Sequence, residues 1–243
     1  MNKKSKTSVT SPCILSHIIN MSDSRKNPKG FTLTELLVAM TISSVVLTLA
    51  ASGLGSIMEA NAKADDQTTR RIEINRALDF ISDEVRQAQS IATNASASGI
   101  TYTVASGVTS AQPILALTVP GVPNPIVYYV ANPQSNSIWS GPRVIYRWGP
   151  TLNANGTYSN PTVFYNEVLV DSIANDTPSS GTCPSATSPN PSAINARKGF
   201  YSCVNVPFVG SPQGKLTHIF LRGKTNTSSA DYTVSTTVSS RLN

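Results

Sequence analysis

The chain changes character abruptly at Gly30. A polar, basic stretch meets an apolar run that holds one carboxylate, Glu35, and from Leu36 to Met58 there are 23 residues without a charge. A helix of that length, rising about 1.5 Å per residue, measures roughly 34 Å against a bilayer hydrocarbon core of about 30 Å. The segment is therefore predicted to be a helix able to span a membrane. A carboxylate there is costly, on the order of 2.5 to 3.5 kcal/mol for Asp at the bilayer centre and less toward the interface, so Glu35 calls for a partner charge.

Beyond Met58 the polarity changes without a helix break. Glu59, Lys63, Asp65, Asp66, Arg70, Arg71 and Glu73 form a solvated surface, and then Ile74, Leu78, Ile81, Val85, Ala88 and Ile91 recur every three or four residues. That spacing is the apolar stripe of an amphipathic helix. One long helix is predicted from Phe31 to about Ile91, ending near Thr93 to Gly99, where Asn, Ser, Ala and Gly replace the periodic pattern. Gly53 and Gly55 sit where its two halves meet, and each costs about 1 kcal/mol relative to alanine inside a helix. They read either as a weak point or, with Ala50, Ala51, Ser52 and Ser56, as a place of close packing through small residues.

From Ile100 the period becomes that of strands. Thr101 to Ala105, Ile114 to Val119, Ile126 to Val130, Val144 to Trp148, Thr162 to Val170, His218 to Arg222 and Tyr232 to Val238 are rich in β-branched or aromatic residues. Turn chemistry separates them, as at Pro120-Gly121-Val122-Pro123-Asn124-Pro125 and Asn153-Ala154-Asn155-Gly156. Roughly 145 residues suffice for one core. The predicted fold is α+β, a long helix lying across an antiparallel β-sheet head. The domain reading is 1–30, 31–58, 59–92 and 93–243: leader, apolar helix, amphipathic helix and β-rich head.

Charge sharpens this division. Residues 1–30 hold +5 of the formal net charge of +6, leaving +1 for residues 31–243, so the high pI belongs mostly to the leader. Whole-protein basicity is thus no argument for nucleic-acid binding. Basic residues ahead of a membrane helix stay cytoplasmic, which places the C-terminal bulk on the outer side. A secretory signal would have a shorter apolar region, with its cleavage site after that region, and a plain anchor gives no reason for Gly30-Phe31-Thr32-Leu33 followed by Glu35.

Lys29-Gly30-Phe31-Thr32-Leu33-Thr34-Glu35-Leu36 resembles the signal of type IV pilins and of the pseudopilins of type II secretion. The resemblance implies a pilin-like fold and cleavage by a prepilin peptidase between Gly30 and Phe31, with N-methylation of Phe31. It gives Glu35 the role of neutralising the Phe31 amine of a neighbouring subunit during assembly. It also implies partners: an inner-membrane assembly platform, other minor and major pilins in a hetero-oligomeric filament, and the membrane before assembly. Unwinding of the helix near Gly53 and Gly55 would follow the family pattern. Met21 opens a ten-residue leader of the family's short kind and is the expected true start. Within the family, Arg76 to Ala88, Val144-Ile145-Tyr146-Arg147, Glu167 to Ile173 and Ser239-Ser240-Arg241 look like PilW-type minor pilins and J-type pseudopilins. Such large, low-abundance subunits prime or cap a filament, so the function implied is a minor pilin of a type IV pilus. The alternatives are a pseudopilin at the tip of a secretion pseudopilus, and a tip module for adhesion or DNA binding.

Cys183 and Cys203 are the cysteines left after processing, and an even pair on the outer side of the membrane suggests a disulfide closing a 21-residue loop. Two free thiols are the other reading. Trp139, Arg143, Tyr146, Arg147 and Trp148 interleave cations with aromatics, a pairing that could stack on bases or sugars and hold phosphates. The plainer reading puts Val144, Tyr146 and Trp148 in the core and the two arginines on the solvent side of a strand. His218 reads as a structural histidine, and Asp171, Asn175 and Asp176 lack the pattern of a calcium loop. No cofactor, metal or catalytic constellation is predicted, so the chain is not read as an enzyme.

Overall fold

The computed structural model describes residues 30–93, 99–175, 191–192, 199–205, 214–224 and 231–241. The chain forms two compact units, Met1–Gly53 and Leu54–Asn243. The long helix α1, Leu33–Gln87, begins in the first and ends in the second.

In the first unit α1 starts from a capping box. The Thr32 backbone N–H and hydroxyl each donate to Glu35 Oε2 at 2.9 Å, and the Glu35 N–H lies 3.3 Å from Thr32 Oγ1. Thr and Glu three apart satisfy the donors that a helix start leaves open. Along the apolar run, the hydroxyls of Thr41, Ser44, Thr48 and Ser52 donate to carbonyls three or four residues back. This internal satisfaction is what hydroxyls need in a hydrocarbon environment. The large apolar side chains from Phe31 to Leu49 are exposed.

In the second unit Ile74, Ala77, Leu78, Ile81 and Val85 bury one face of α1. They pack on a curled antiparallel sheet of nine strands among the described residues, ordered β1-β2-β3-β4-β5-β8-β7-β6 with β9 beside β8. The strands are β1 (Ser90–Ala92), β2 (Thr109–Thr118), β3 (Ile126–Asn132), β4 (Arg143–Gly149), β5 (Tyr165–Ile173), β6 (Pro191–Ser192), β7 (Phe200–Asn205), β8 (Leu216–Gly223) and β9 (Tyr232–Ser239). Curling brings β1 back to the start of β8, where Ile91 and Gly214 exchange backbone bonds of 2.9 and 2.8 Å. The α+β expectation, a long helix packed on an antiparallel sheet, holds.

Three local expectations are corrected. The helix stops at Gln87, although its apolar stripe continues: Ala88 and Ile91 are buried as the chain turns into β1, whose pairing with β2 replaces the helical ladder. Thr101 to Ala105 is not a strand. It is part of a segment whose Ile100, Tyr102, Val104, Ala105 and Val108 pack against the sheet cluster of Val127, Tyr129, Val144, Tyr146 and Trp148. The Ala105 N–H donates to the Tyr129 hydroxyl at 2.9 Å. Thr162 precedes its strand, its hydroxyl bonded to Asn160 Oδ1 at 2.8 Å in a turn. With α1 on one face and this segment on the other, β4 is buried at all seven positions.

Candidate functional site

Two groups of residues carry the functional reading, one in each unit. In the first, Gly30 and Phe31 lead directly into α1, and Phe31 is 87% exposed. The capping box uses Oε2 of Glu35 for both Thr32 donors. Oε1 has no partner among the described residues, and an ionised carboxylate has acceptor sites to spare there. Residues 1–29, and with them the leader and the Met21 start, lie outside the described residues.

In the second unit the helix is fastened to the sheet by a buried ion pair. Arg147 on β4 donates from Nη2 to Glu84 Oε1 at 2.7 Å and from Nε to Glu84 Oε2 at 3.0 Å. Both side chains are almost fully enclosed, at 1% and 2% exposure. Around them the Tyr128 hydroxyl donates to Glu84 Oε2, the Tyr158 hydroxyl to Oε1 at 3.2 Å, and Arg147 Nη2 to the Pro150 carbonyl at 2.9 Å. Phe80 lies 5.8 Å from the guanidinium carbon, measured to its ring centroid. Burial opposes the Arg147 charge, but the hydrogen bonds and charge of Glu84 more than offset it, holding the guanidinium above its ordinary range. Burial, then the Glu84 charge, push the Tyr128 and Tyr158 hydroxyls well above theirs. Such a constellation positions and locks; its geometry is that of a clamp.

The cation and aromatic patch is placed accordingly. Trp139 is 42% exposed, whereas Arg143, Tyr146, Arg147 and Trp148 are all buried. Neither arginine covers a solvent side, because both faces of β4 are packed and the helix face supplies Glu84. Arg143 donates to the Ser110 and Val130 carbonyls at 2.9 and 3.3 Å and to Asn132 Oδ1 at 3.3 Å. Tyr146 stacks on Tyr129 with centroids 5.2 Å apart, and Trp148 meets Phe164 at 4.5 Å. His218 on β8 shares a hydrogen bond with Thr237 on β9, and burial lowers its pKa. Asp171 binds Arg70 Nη1 at 2.5 Å and the Ser140 N–H at 2.7 Å, tying the β3–β4 loop to α1. Cys203, buried on β7, is disulfide-bonded. Cys183 and Asp176 lie outside the described residues.

Sequence reasoning assigned no role to Glu84, Tyr128 or Tyr158. A signal existed for the first: Glu84 interrupts the stripe between Ile81 and Val85, on the side of α1 that must face the core.

Residues 25–51 match the model of the prokaryotic N-terminal methylation motif. Over this segment the match supports a type IV pilin or pseudopilin relationship. Comparisons with curated proteins and with solved structures return no match. The motif makes the pilin-like chain a prepilin peptidase substrate with pilin assembly partners, and it points to a structural subunit. Together with the exposed apolar helix it is consistent with membrane anchoring before assembly.

Proposed function

We propose that the chain is a minor pilin of the PilW type, which helps to start or cap a type IV pilus. The observation that carries this reading is a single helix, Leu33–Gln87, bearing the methylation segment near its start and a β-rich head on its last turns. A head as large as residues 93–243 is awkward to repeat along a shaft, which favours a low-abundance position.

In this reading a prepilin peptidase cuts between Gly30 and Phe31 and Phe31 is methylated. The head stands outside the inner membrane and later at the pilus tip or base. Glu35 Oε1 receives the Phe31 ammonium of an adjoining subunit, while Oε2 stays with Thr32. An ion pair removed from water recovers two desolvation costs only in good geometry, so the pair sets register more than affinity. The capping box supports this by holding the carboxylate in one orientation. Cys183 is the proposed disulfide partner of Cys203, closing its loop on the oxidising side. The assembly platform and other minor and major pilins are the partners.

Gene deletion with microscopy of pili beside secretion assays tests the choice. Loss of pili with intact secretion is expected, and lost secretion with normal pili overturns it in favour of a pseudopilin. Mass analysis of purified filaments should find N-methyl-Phe31 as the first residue.

A further inference from the structure

We propose that the second unit carries a binding site for a small amphipathic monocarboxylate, an organic acid with one negative charge and an apolar body, in two adjoining clefts beside the end of α1. The site goes beyond the filament reading and does not depend on it.

The last turns of α1 and two turns of the sheet build the clefts. One, of about 440 Å³, has Phe80 and Leu152 in its walls. The other, of about 400 Å³, has Val119, Pro120 and Tyr158. Both include Arg86, Gln87, Gly156 and Arg241, so they meet along one strip of residues. Each volume falls within the roughly 300 to 1,000 Å³ of small-molecule sites, which combine apolar walls with a few placed polar groups. The turn that separates them holds its own shape. The Asn153 N–H donates to the Thr157 carbonyl at 2.7 Å and the Gly156 N–H to the Asn153 carbonyl at 2.9 Å. Tyr158, which follows, is tied to Glu84 at 3.2 Å.

Charge selects the ligand. Among the described residues, the charged side chains lining the clefts are Asp83, Glu84, Arg86 and Arg241. Glu84 is matched by Arg147 beneath it, and Asp83 pairs with Arg86 at 2.5 Å. Arg241 remains: its guanidinium has no hydrogen bond or ion pair among the described residues, and the Gln87 amide has none either. The backbone holds Arg241 in place, since its N–H donates to the Arg86 carbonyl at 3.1 Å and the Ser240 N–H to the Lys215 carbonyl at 2.8 Å. Carbonyls at a helix end repel anions. Here those of Val85, Arg86 and Ala88 are occupied by the Ala88 N–H, the Arg241 N–H and the Ser240 hydroxyl.

One unmatched guanidinium calls for one negative charge, and a carboxylate meets its fork with two parallel N–H···O bonds. The exposed carboxylate of Asp83 opposes a polyanion such as a diphosphate or a nucleic-acid backbone. The walls at Phe80 and Leu152, or at Val119 and Pro120, gain from being covered by an apolar body. Gln87 offers both a donor and an acceptor to a polar substituent. A free acid suits the site better than a polypeptide, because the turn at Gly156 divides the space into two compartments of small-molecule size.

The test titrates aryl and alkyl carboxylates, from phenylacetate to octanoate, into the full chain in detergent, each beside its neutral amide, with binding read by saturation-transfer NMR. At least one acid should bind about tenfold more tightly than its amide, as hydrogen bonds to a charged group do. Arg241→Gln should erase that preference with its melting temperature unchanged, and Arg241→Lys should keep part of it. A diazirine derivative of the best acid should label peptides from Phe80 to Gln87 or from Leu152 to Tyr158. Absence of binding, equal affinity for acid and amide, an undiminished preference in Arg241→Gln, or labelling elsewhere in the chain overturns the site. Binding that disappears once the chain is in filaments gives the clefts to a neighbouring subunit and overturns the small-molecule assignment.

Discussion

Glu84 on α1 and Arg147 on β4 meet as a two-pronged ion pair, at 2.7 and 3.0 Å, inside the helix–sheet interface. Because the two residues come from elements far apart in the chain, their pairing decides how the amphipathic half of α1 sits on the sheet.

Removing one partner leaves an uncompensated buried charge, so Glu84→Gln or Arg147→Met should cost about 3 to 5 kcal/mol. The double variant Glu84→Leu with Arg147→Met should recover most of that loss, since a buried pair exchanged for apolar groups is often neutral. Denaturant unfolding of all three proteins in detergent measures it; additive losses would contradict the clamp.

Alkali should loosen the same site. The folded-state pKa values of Tyr128 and Tyr158 lie above the ordinary tyrosine value, so their neutral hydroxyls contribute stability that is fully present below about pH 10. That contribution is lost as pH rises through the folded values. Stability should therefore fall as pH climbs above about 10, and less steeply in Tyr128→Phe. An unchanged slope in the variant would show that Tyr128 is not a source of the loss.

His218 acts at the other end of the scale. Burial lowers its folded pKa, so its contribution is present above the unfolded value of about 6.5 and lost as pH falls through the folded value. His218→Gln should remove that component of acid destabilisation, visible as a shallower decline in melting temperature below about pH 6.5.

Glu35 combines a helix-capping role with the proposed charge role, and two substitutions separate them. Glu35→Gln retains a side chain able to complete the capping box but lacks the charge, so it should insert normally and fail to enter filaments. Thr32→Ala keeps the carboxylate and should weaken the helix start by about 1 kcal/mol. The ratio of filament to membrane pools reads both, and wild-type incorporation of Glu35→Gln would refute the charge pairing.

Gly214 marks where the sheet curls back on itself. A Cβ there would lie 1.8 Å from the Asn205 carbonyl oxygen, so Gly214→Ala should lose about 1 to 3 kcal/mol or more through forced backbone movement. Thermal unfolding tests this, with Gly156→Ala as a comparison at a turn where space is open but φ is +79°.

Period and charge along the chain are enough to mark the long N-terminal helix, though not where it ends. A helix stripe needs only local spacing, and the neutral run, Glu35 and the Gly30-Phe31 junction lie within one short segment. Most strands were legible for the same reason, since β-branched and aromatic runs bounded by turns are local signals. β7 lacks that local signal, because both of its faces are buried and Phe200, Ser202 and Val204 do not contrast in polarity with Tyr201 and Cys203.

Only tertiary structure decided the rest. Whether Arg147 faces water or Glu84 depends on which face of β4 the helix covers, and alternation cannot tell two buried faces from one. The end of α1 at Gln87 was likewise settled by pairing with β2, a contact that the apolar stripe through Ile91 does not reveal. Spacing along the chain determines which residues can share a face. Long-range packing determines what that face meets, because the groups that satisfy a buried charge or an open backbone come from elsewhere in the sequence.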